Sequence, residues 1–379
     1  MLQLLRGRRI RRIAGQVVFL AAVAGVLAWL RHNLLANLSL AGIDTSYHFL
    51  SQPAGFDIAG STFRASDTVG AALLVGARNT IAVSVAGIVA ATVLGLLVGI
   101  ARLSPNWLLR RVAALYVETL RNVPVLVTIV FLYQAIALKL PAIEHPLQPL
   151  GVAVVSNRGI WVPWVVAARG LGILAAAAGA GVALAAAALS RLRRQRGRGG
   201  GGGTAWAGLI LVLALMMGWI ASGASISVPE AAGRVVTGGL WLQTEFAALL
   251  GGLVLYTSSH IAEIVRASIL AVPRGQSEAA DALGLTPAQR LRLVVVPQAL
   301  RIMVPPLANQ YLNLAKNSSL GVAIAFAELT LVTRIATASG SPAPQAISVL
   351  VAVYLALSLA IAAATNLLNR RLVTAWRPA

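Results

Sequence analysis

The feature that most constrains this chain is a series of long apolar runs separated by loops that carry arginine. A helix needs about 20 apolar residues to cross the hydrocarbon of a bilayer. In lipid every backbone N–H and C=O must also find its partner inside the segment, which a helix achieves on its own. Such runs occupy roughly residues 13–30, 79–101, 112–138, 170–190, 205–221 and 246–270, a stretch from about 299, and 347–368. They predict an all-α, polytopic membrane protein with about eight transmembrane helices. The chain is 58% hydrophobic and 11% charged, with mean hydropathy +0.81, which excludes a soluble domain. Arg6, Arg8, Arg9, Arg11 and Arg12 precede the first run. A secretory signal competes as a reading. The run is long for a signal's apolar region and no small-x-small cleavage site follows, so an uncleaved first span is expected.

The net charge of +20 would point to nucleic acid in a soluble chain. Here its placement decides otherwise. With eight spans, 19 of the 31 Lys and Arg fall in the connections and tails on one side of the membrane and eight on the other. The positive-inside rule then puts both termini and the 273–297 loop in the cytoplasm. Residues 191–203, rich in Arg and Gly, read as a flexible linker resting on anionic lipid, with no nucleic acid involved. Residues 32–72 read as an external loop and 139–169 as a mixed segment, with Trp161 and Trp164 suited to an interface. There is no cysteine, hence no disulfide framework and no thiolate chemistry. His32, His48, His145 and His260 show no metal-binding spacing.

Three polar stretches interrupt this pattern. The first, residues 273–297, predicts two short helices between spans. Ser277 is expected to cap the first, Glu278 and Asp281 to sit in its positive N-terminal turn, and Gly284 to end it in a left-handed conformation. Thr286, Pro287 and Gln289 form the signature of a fresh helix start with a capping box. Ala280 and Gly284, four apart, would leave one face nearly bare and open to a partner. In the second, Asn309, Asn313, Lys316 and Asn317 share one helix face, followed by Ser318, and Pro305-Pro306 predicts a broken helix. A lysine within a span belongs against a cavity or partner, since burying it in lipid costs about 2.5–3.5 kcal/mol on insertion scales. The third holds Glu118, Arg121 and Asn122; Glu118 and Arg121, at i and i+3, either neutralise each other or serve a solute. Neither Lys139 nor Lys316 sits in a phosphate-loop pattern, so any ATPase driving transport must be a separate polypeptide.

Glu278-Ala279-Ala280, Gly284 and the closing Val294-x-Val296-Pro297 resemble the EAA loop of binding-protein-dependent ABC importer permeases. Glu118-x-x-Arg121-Asn122-x-Pro124, Tyr256-Thr257 through Glu263-Ile264-Val265-Arg266-Ala267, Arg274-Gly275-Gln276, and Asn309-Gln310 through Lys316-Asn317-Ser318-Ser319-Leu320 resemble the histidine/glutamine type, the polar amino acid permeases. Ser156-Asn157-Arg158-Gly159-Ile160, in an inserted piece, looks like the longer general L-amino acid permeases. The resemblance implies a type I importer core over residues 75–369 with an insertion at about 139–245, after an N-terminal tail, first span and periplasmic loop (1–74) and before a C-tail (370–379). It implies the bacterial inner membrane as the site of action. It also implies ABC ATPase subunits that use the ATP, a second homologous permease, and a periplasmic amino acid-binding protein as partners. The chain itself would be no enzyme and hold no cofactor or metal. Glu278, Ala279, Ala280, Gly284 and Pro297 would couple to the ATPase, and the residues of the second and third stretches would be pathway candidates. The alternative is a self-contained secondary transporter or channel for small polar solutes.

Overall fold

The computed structural model describes residues 8–40, 42, 46–166 and 225–374. Its helices, in chain order, are α1 (Arg8–Leu40), α2 (Val69–Ala101), α3 (Trp107–Asn122), α4 (Val125–Phe131), α5 (Thr244–Leu270), α6 (Arg274–Ala282), α7 (Pro287–Arg290), α8 (Val296–Asn317), α9 (Leu329–Ala338) and α10 (Ala343–Thr374). Among the described residues five helices are long and apolar enough to span a membrane, or six with α3 and α4 as one broken span. The expected fourth and fifth spans and the 191–203 linker lie outside the described residues. The loop expected over residues 32–72 starts later, because Leu34, Leu35 and Leu38 carry α1 on to Leu40.

Two compact units are present, one of Met1–Val125 with Leu253–Ala379 and one of Leu126–Gly252. In the first, α2 presents a face of small residues. Gly87, Ala91, Gly95 and Gly99 recur every fourth position and are all buried, which lets helix backbones approach closely in lipid. A Cβ at Gly95 would stand 2.6 Å from Ile261 Cβ, and one at Gly99 would stand 2.8 Å from the Ala262 carbonyl oxygen, both on α5. At the other end of α2, a Cβ at Gly76 would meet the Leu329 backbone of α9 at 2.9 Å.

That second junction is polar as well as close. Glu328, fully buried, caps α9 by accepting the amides of Thr330 and Leu331, both at 2.8 Å. The Tyr354 hydroxyl of α10 donates to the same carboxylate at 3.0 Å. Burial pushes the Glu328 carboxyl above its ordinary range while these donors pull it down. Thr80 of α2 accepts the Leu329 amide at 3.1 Å, and the Asn79 amide donates to the Ala327 carbonyl at 2.8 Å. The loop before α2 seals the same end, with Phe49, Ile58 and Phe63 buried against Leu73, Val332 and Ala346.

The second unit holds short strands. β1 (Val154–Ser156) and β2 (Gly159–Val162) form a hairpin turning at Asn157-Arg158, and β2 pairs antiparallel with β7 (Leu240–Leu242). Trp161 and Trp241 stack across that pair at 6.1 Å. Gly159, at φ 145°, lies against the Trp241 ring, where a Cβ would come within 2.3 Å of Nε1. β3 (Trp164–Val166) pairs with β4 (Ser225–Ser227), and β5 (Glu230–Ala232) with β6 (Val235–Thr237). The motif at 156–160 is therefore part of a β-hairpin in the second unit.

Replacing Gly95 by Leu should force α2 from α5 and lower the thermal midpoint of the detergent-purified protein, overpacking of this kind costing about 1–3 kcal/mol. Gly275→Ala, where nothing lies within 4 Å of the added carbon, should leave the midpoint unchanged or slightly raised.

Candidate functional site

Two features stand out in the first unit, an elbow at one end of the helices and a polar cavity among them. The elbow joins α5 to α8. α6 begins at Arg274, earlier than expected, and has no side-chain cap. Pro273 sets the chain extended at ψ 136°, and its carbonyl accepts the Gln276 amide at 3.0 Å. Ser277, Glu278 and Asp281 are thereby carried past the first turn into the helix body. Asp281 instead receives Arg290 Nη1 on both oxygens, at 2.7 and 2.5 Å, which clamps α6 to α7.

The end of α6 follows the expectation. Gly284 has φ +73°, its amide donates to the Asp281 carbonyl at 2.9 Å and the Leu285 amide to the Ala280 carbonyl at 3.2 Å, the two bonds of a Schellman motif. Thr286 then caps α7, with Gln289 completing the capping box and Pro287 at the first helical position. The bare face is corrected. Ala280 is only 2% exposed and points inward, whereas Gly284 lies beyond the helix end with open space around it. What the elbow offers outward is Glu278, Ala279, Ala282 and Leu283, the last 80% exposed. Leu283 was not singled out from sequence, because a lone leucine carries no pattern until its helix is placed.

A turn of π-helix (Leu291–Val295) leads into α8, with Pro297 half-buried in its first turn. Pro297 brings no amide to the ladder, which suits the widened turn before it. Gln298 Nε2 donates to Gln276 Oε1 at 3.1 Å and ties α8 back to α6. Pro305 and Pro306 do not break α8, contrary to expectation; the helix runs through them to Asn317. Buried Met303, Val304 and Leu307 hold that stretch by packing. The break comes instead at Val123, extended at ψ 128° before Pro124, where α3 ends.

The cavity has a volume of about 400 Å³ and is lined by Arg102, Val117, Glu118, Arg121, Asn122, His260 and Glu263. Glu263 of α5 is ion-paired with Arg102, at the end of α2, and with Arg266 at 2.6 Å. No ion pair joins Glu118 to Arg121, so of the two readings the direct mutual pairing is not formed. Both remain exposed on the cavity wall. His260 lies with its ring 4.6 Å from that of Tyr256, its Nδ1 3.1 Å from the Tyr256 carbonyl. Sequence had brought forward Glu118, Arg121 and Asn122; it missed Arg102, Glu263 and His260 as their companions. The Glu263-x-x-Arg266 spacing was the available signal.

Asn309, Asn313 and Lys316 lie exposed along one face of α8, Asn317 is half-buried, and Ser318 is buried with its hydroxyl donating to the Ala315 carbonyl at 2.7 Å. None of them lines the cavity. The structure thus separates the pathway candidates into a cavity group and a polar helix face.

A family model described as binding-protein-dependent transport system inner membrane component matches residues 202–375. The general L-amino acid transport system permease protein AapQ of Rhizobium johnstonii is 39% identical over 334 residues, covering 85% of this chain and 82% of that protein. The chain belongs to the amino-acid ABC transporter permeases. The glutamate/glutamine/aspartate/asparagine transport system permease protein BztB of Rhodobacter capsulatus is 36% identical over 359 residues, covering 85% of this chain and 84% of that one. An amino acid ABC transporter crystallised with histidines aligns at TM-score 0.48 and 20% identity, over 80% of this chain and 94% of that chain. As an ABC permease, the protein is a multi-pass inner-membrane transporter subunit whose ATPase resides in a partner, and ATPase and binding-protein partners follow from the family.

Thr286→Ala removes the cap of α7, a loss of about 1 kcal/mol. Amide hydrogen exchange at Gln289, whose N–H faces the Thr286 hydroxyl at 3.4 Å, should quicken about fivefold while exchange within α2 stays unchanged.

Proposed function

We propose that this permease forms the translocation pathway of an ATP-driven, binding-protein-dependent amino acid importer, beside a second homologous permease and surrounded by membrane lipid. Residues 276–291 couple it to a separate ATPase, and both termini face the cytoplasm. The chain hydrolyses nothing and binds no cofactor itself; ATP is spent by the partner. Its transport core is residues 75–369, with an insertion at about 139–245, following an N-terminal region (1–74) and preceding the C-tail (370–379).

The observation that carries the reading is the elbow. A segment clamped by Asp281–Arg290, closed by a Schellman turn and restarted by a capping box is a stiff lever. Its exposed face of Glu278, Ala279, Ala282 and Leu283 suits insertion into a groove on another protein. Buried Ala280 lets α6 lie close to its own subunit, and Pro297 fixes the return into α8.

The chemistry of the pathway fits a zwitterion. Glu118 offers a carboxylate to a solute ammonium, and Arg121 and Lys316 offer cations to a carboxylate. The amides of Asn122, Asn309, Asn313 and Asn317 both donate and accept. Glu263, already held by two arginines, does not compete for a solute cation. Ser318 acts by shaping the end of α8.

Gly284→Asp adds a charged side chain where open space adjoins the backbone, at a left-handed φ of +73° that Asp adopts more readily than most residues at a cost of about 1 kcal/mol, so insertion and folding should persist. ATP-dependent uptake by the reconstituted transporter should fall at least tenfold. Full uptake with Asp at this position would remove the coupling role. Lys316→Ala should raise the solute concentration needed for half-maximal uptake at least fivefold, with the ATPase still co-purifying.

A further inference from the structure

An apolar groove of about 1020 Å³ runs between the ends of α2 and α3 and against α5 and α8. Leu97, Ile100, Val112, Ile269, Val296 and Met303 represent its walls. Leu97 is 62% exposed and Ile100 and Val112 each 58%, so the slot opens sideways onto the outer surface of the unit. It is distinct from the polar cavity in all but its neighbourhood, since no residue lines both.

One end of the groove is basic. Ser104 and Pro105 close it, and Arg110 Nη1 donates to the Ser104 carbonyl at 3.3 Å, which holds the guanidinium on the rim. Arg111 and Arg292 are exposed on the segments that supply the walls Val112 and Leu291. Glu263, the carboxylate on the adjoining stretch of α5, is held by Arg102 and Arg266 and leaves these charges uncompensated. Trp107, 63% exposed at the first position of α3, is placed as aromatic residues are at a bilayer surface. A long apolar slot that opens sideways and ends in arginines beside an interfacial tryptophan complements a molecule with an aliphatic tail and an anionic head.

We propose that this groove is a binding site for one anionic phospholipid, its acyl chain lying along α2 and α3 and its phosphate on Arg110. Leu291 and Val296 belong to the π-turn and first residue of α8, where the elbow returns to the membrane helices. An acyl chain in the slot therefore touches the segment that any elbow movement must displace. Its effect on coupling rests on the function proposed above, whereas the binding does not.

The purified transporter complex, titrated with dioleoyl phosphatidylglycerol or dioleoyl phosphatidylcholine, would be read by native mass spectrometry. One phosphatidylglycerol per permease chain is expected to be retained in preference to phosphatidylcholine. Arg110→Gln should weaken that retention about fivefold, the factor implied by losing one basic side chain at an anionic surface. Val112→Trp, which fills the slot from an exposed position, should abolish it, and Arg64→Gln should leave it unchanged. Equal retention of both lipids, or no response to Arg110→Gln, would overturn the site. So would a cysteine at Val112 that cross-links to another protein chain in native membranes, since a partner helix would then occupy the slot.

Discussion

A polar group buried among the helices must be satisfied by the protein itself, and most of the fold follows from that demand. At one end of α2 it is met by Glu328, which takes two amides of α9 and the hydroxyl of Tyr354. At the other end it is met by Glu263, set between Arg102 and Arg266. Between them the small-residue face of α2 supplies close packing, and its buried Ser84 hydroxyl donates to the Thr80 carbonyl of the same helix. The result is a helix pinned at both ends and smooth between, against which α5 and α9 are held.

Against that background the unpaired polar residues acquire meaning. Glu118 and Arg121 stand on the cavity wall without an ion pair, although three residues apart on one helix. Asn309, Asn313 and Lys316 stand exposed along α8. Leaving such groups unsatisfied at a lipid surface is costly, so their place is toward water, solute or another subunit. The protein pairs charges between elements, as at Glu263 and Asp281, and leaves Glu118, Arg121 and Lys316 outside the ion pairs of the described residues.

Much of this was legible from the chain alone, for reasons that differ by residue. The five long apolar helices among the described residues were legible because lipid demands length and apolarity together. The turn at Gly284 and the start at Thr286 were legible because each rests on local chemistry, a left-handed glycine and a hydroxyl cap. The start of α6 was not, since Ser277 offered a plausible cap while the geometry was set by Pro273, whose influence lies in its ψ angle. Pro305-Pro306 misled in the same way. Proline removes a hydrogen bond locally, but whether the helix breaks depends on packing from Met303, Val304 and Leu307, which sequence does not display. The companionship of Arg102, Glu263 and His260 with Glu118 is a tertiary fact, carried by three different helices and adjoining loops.

The coupling proposed above requires a path from the elbow to the cavity, and the same geometry offers one. Glu263 lies on α5 seven residues before its end at Leu270, roughly 10 Å along a helix at 1.5 Å per residue. α5 is unbroken over that distance up to Leu270, and the elbow beyond it is stiffened by Asp281–Arg290 and by Gln276–Gln298. A displacement of α6 is therefore passed along a rigid rod to the carboxylate that holds Arg102 at the cavity wall. Because Arg102 belongs to the end of α2 and Glu118 to α3, motion of α5 changes the spacing between a fixed ion pair and the open residues facing it. Packed helices resist continuous deformation and shift between discrete arrangements, so under the proposed coupling the cavity would respond in steps to movement of the elbow.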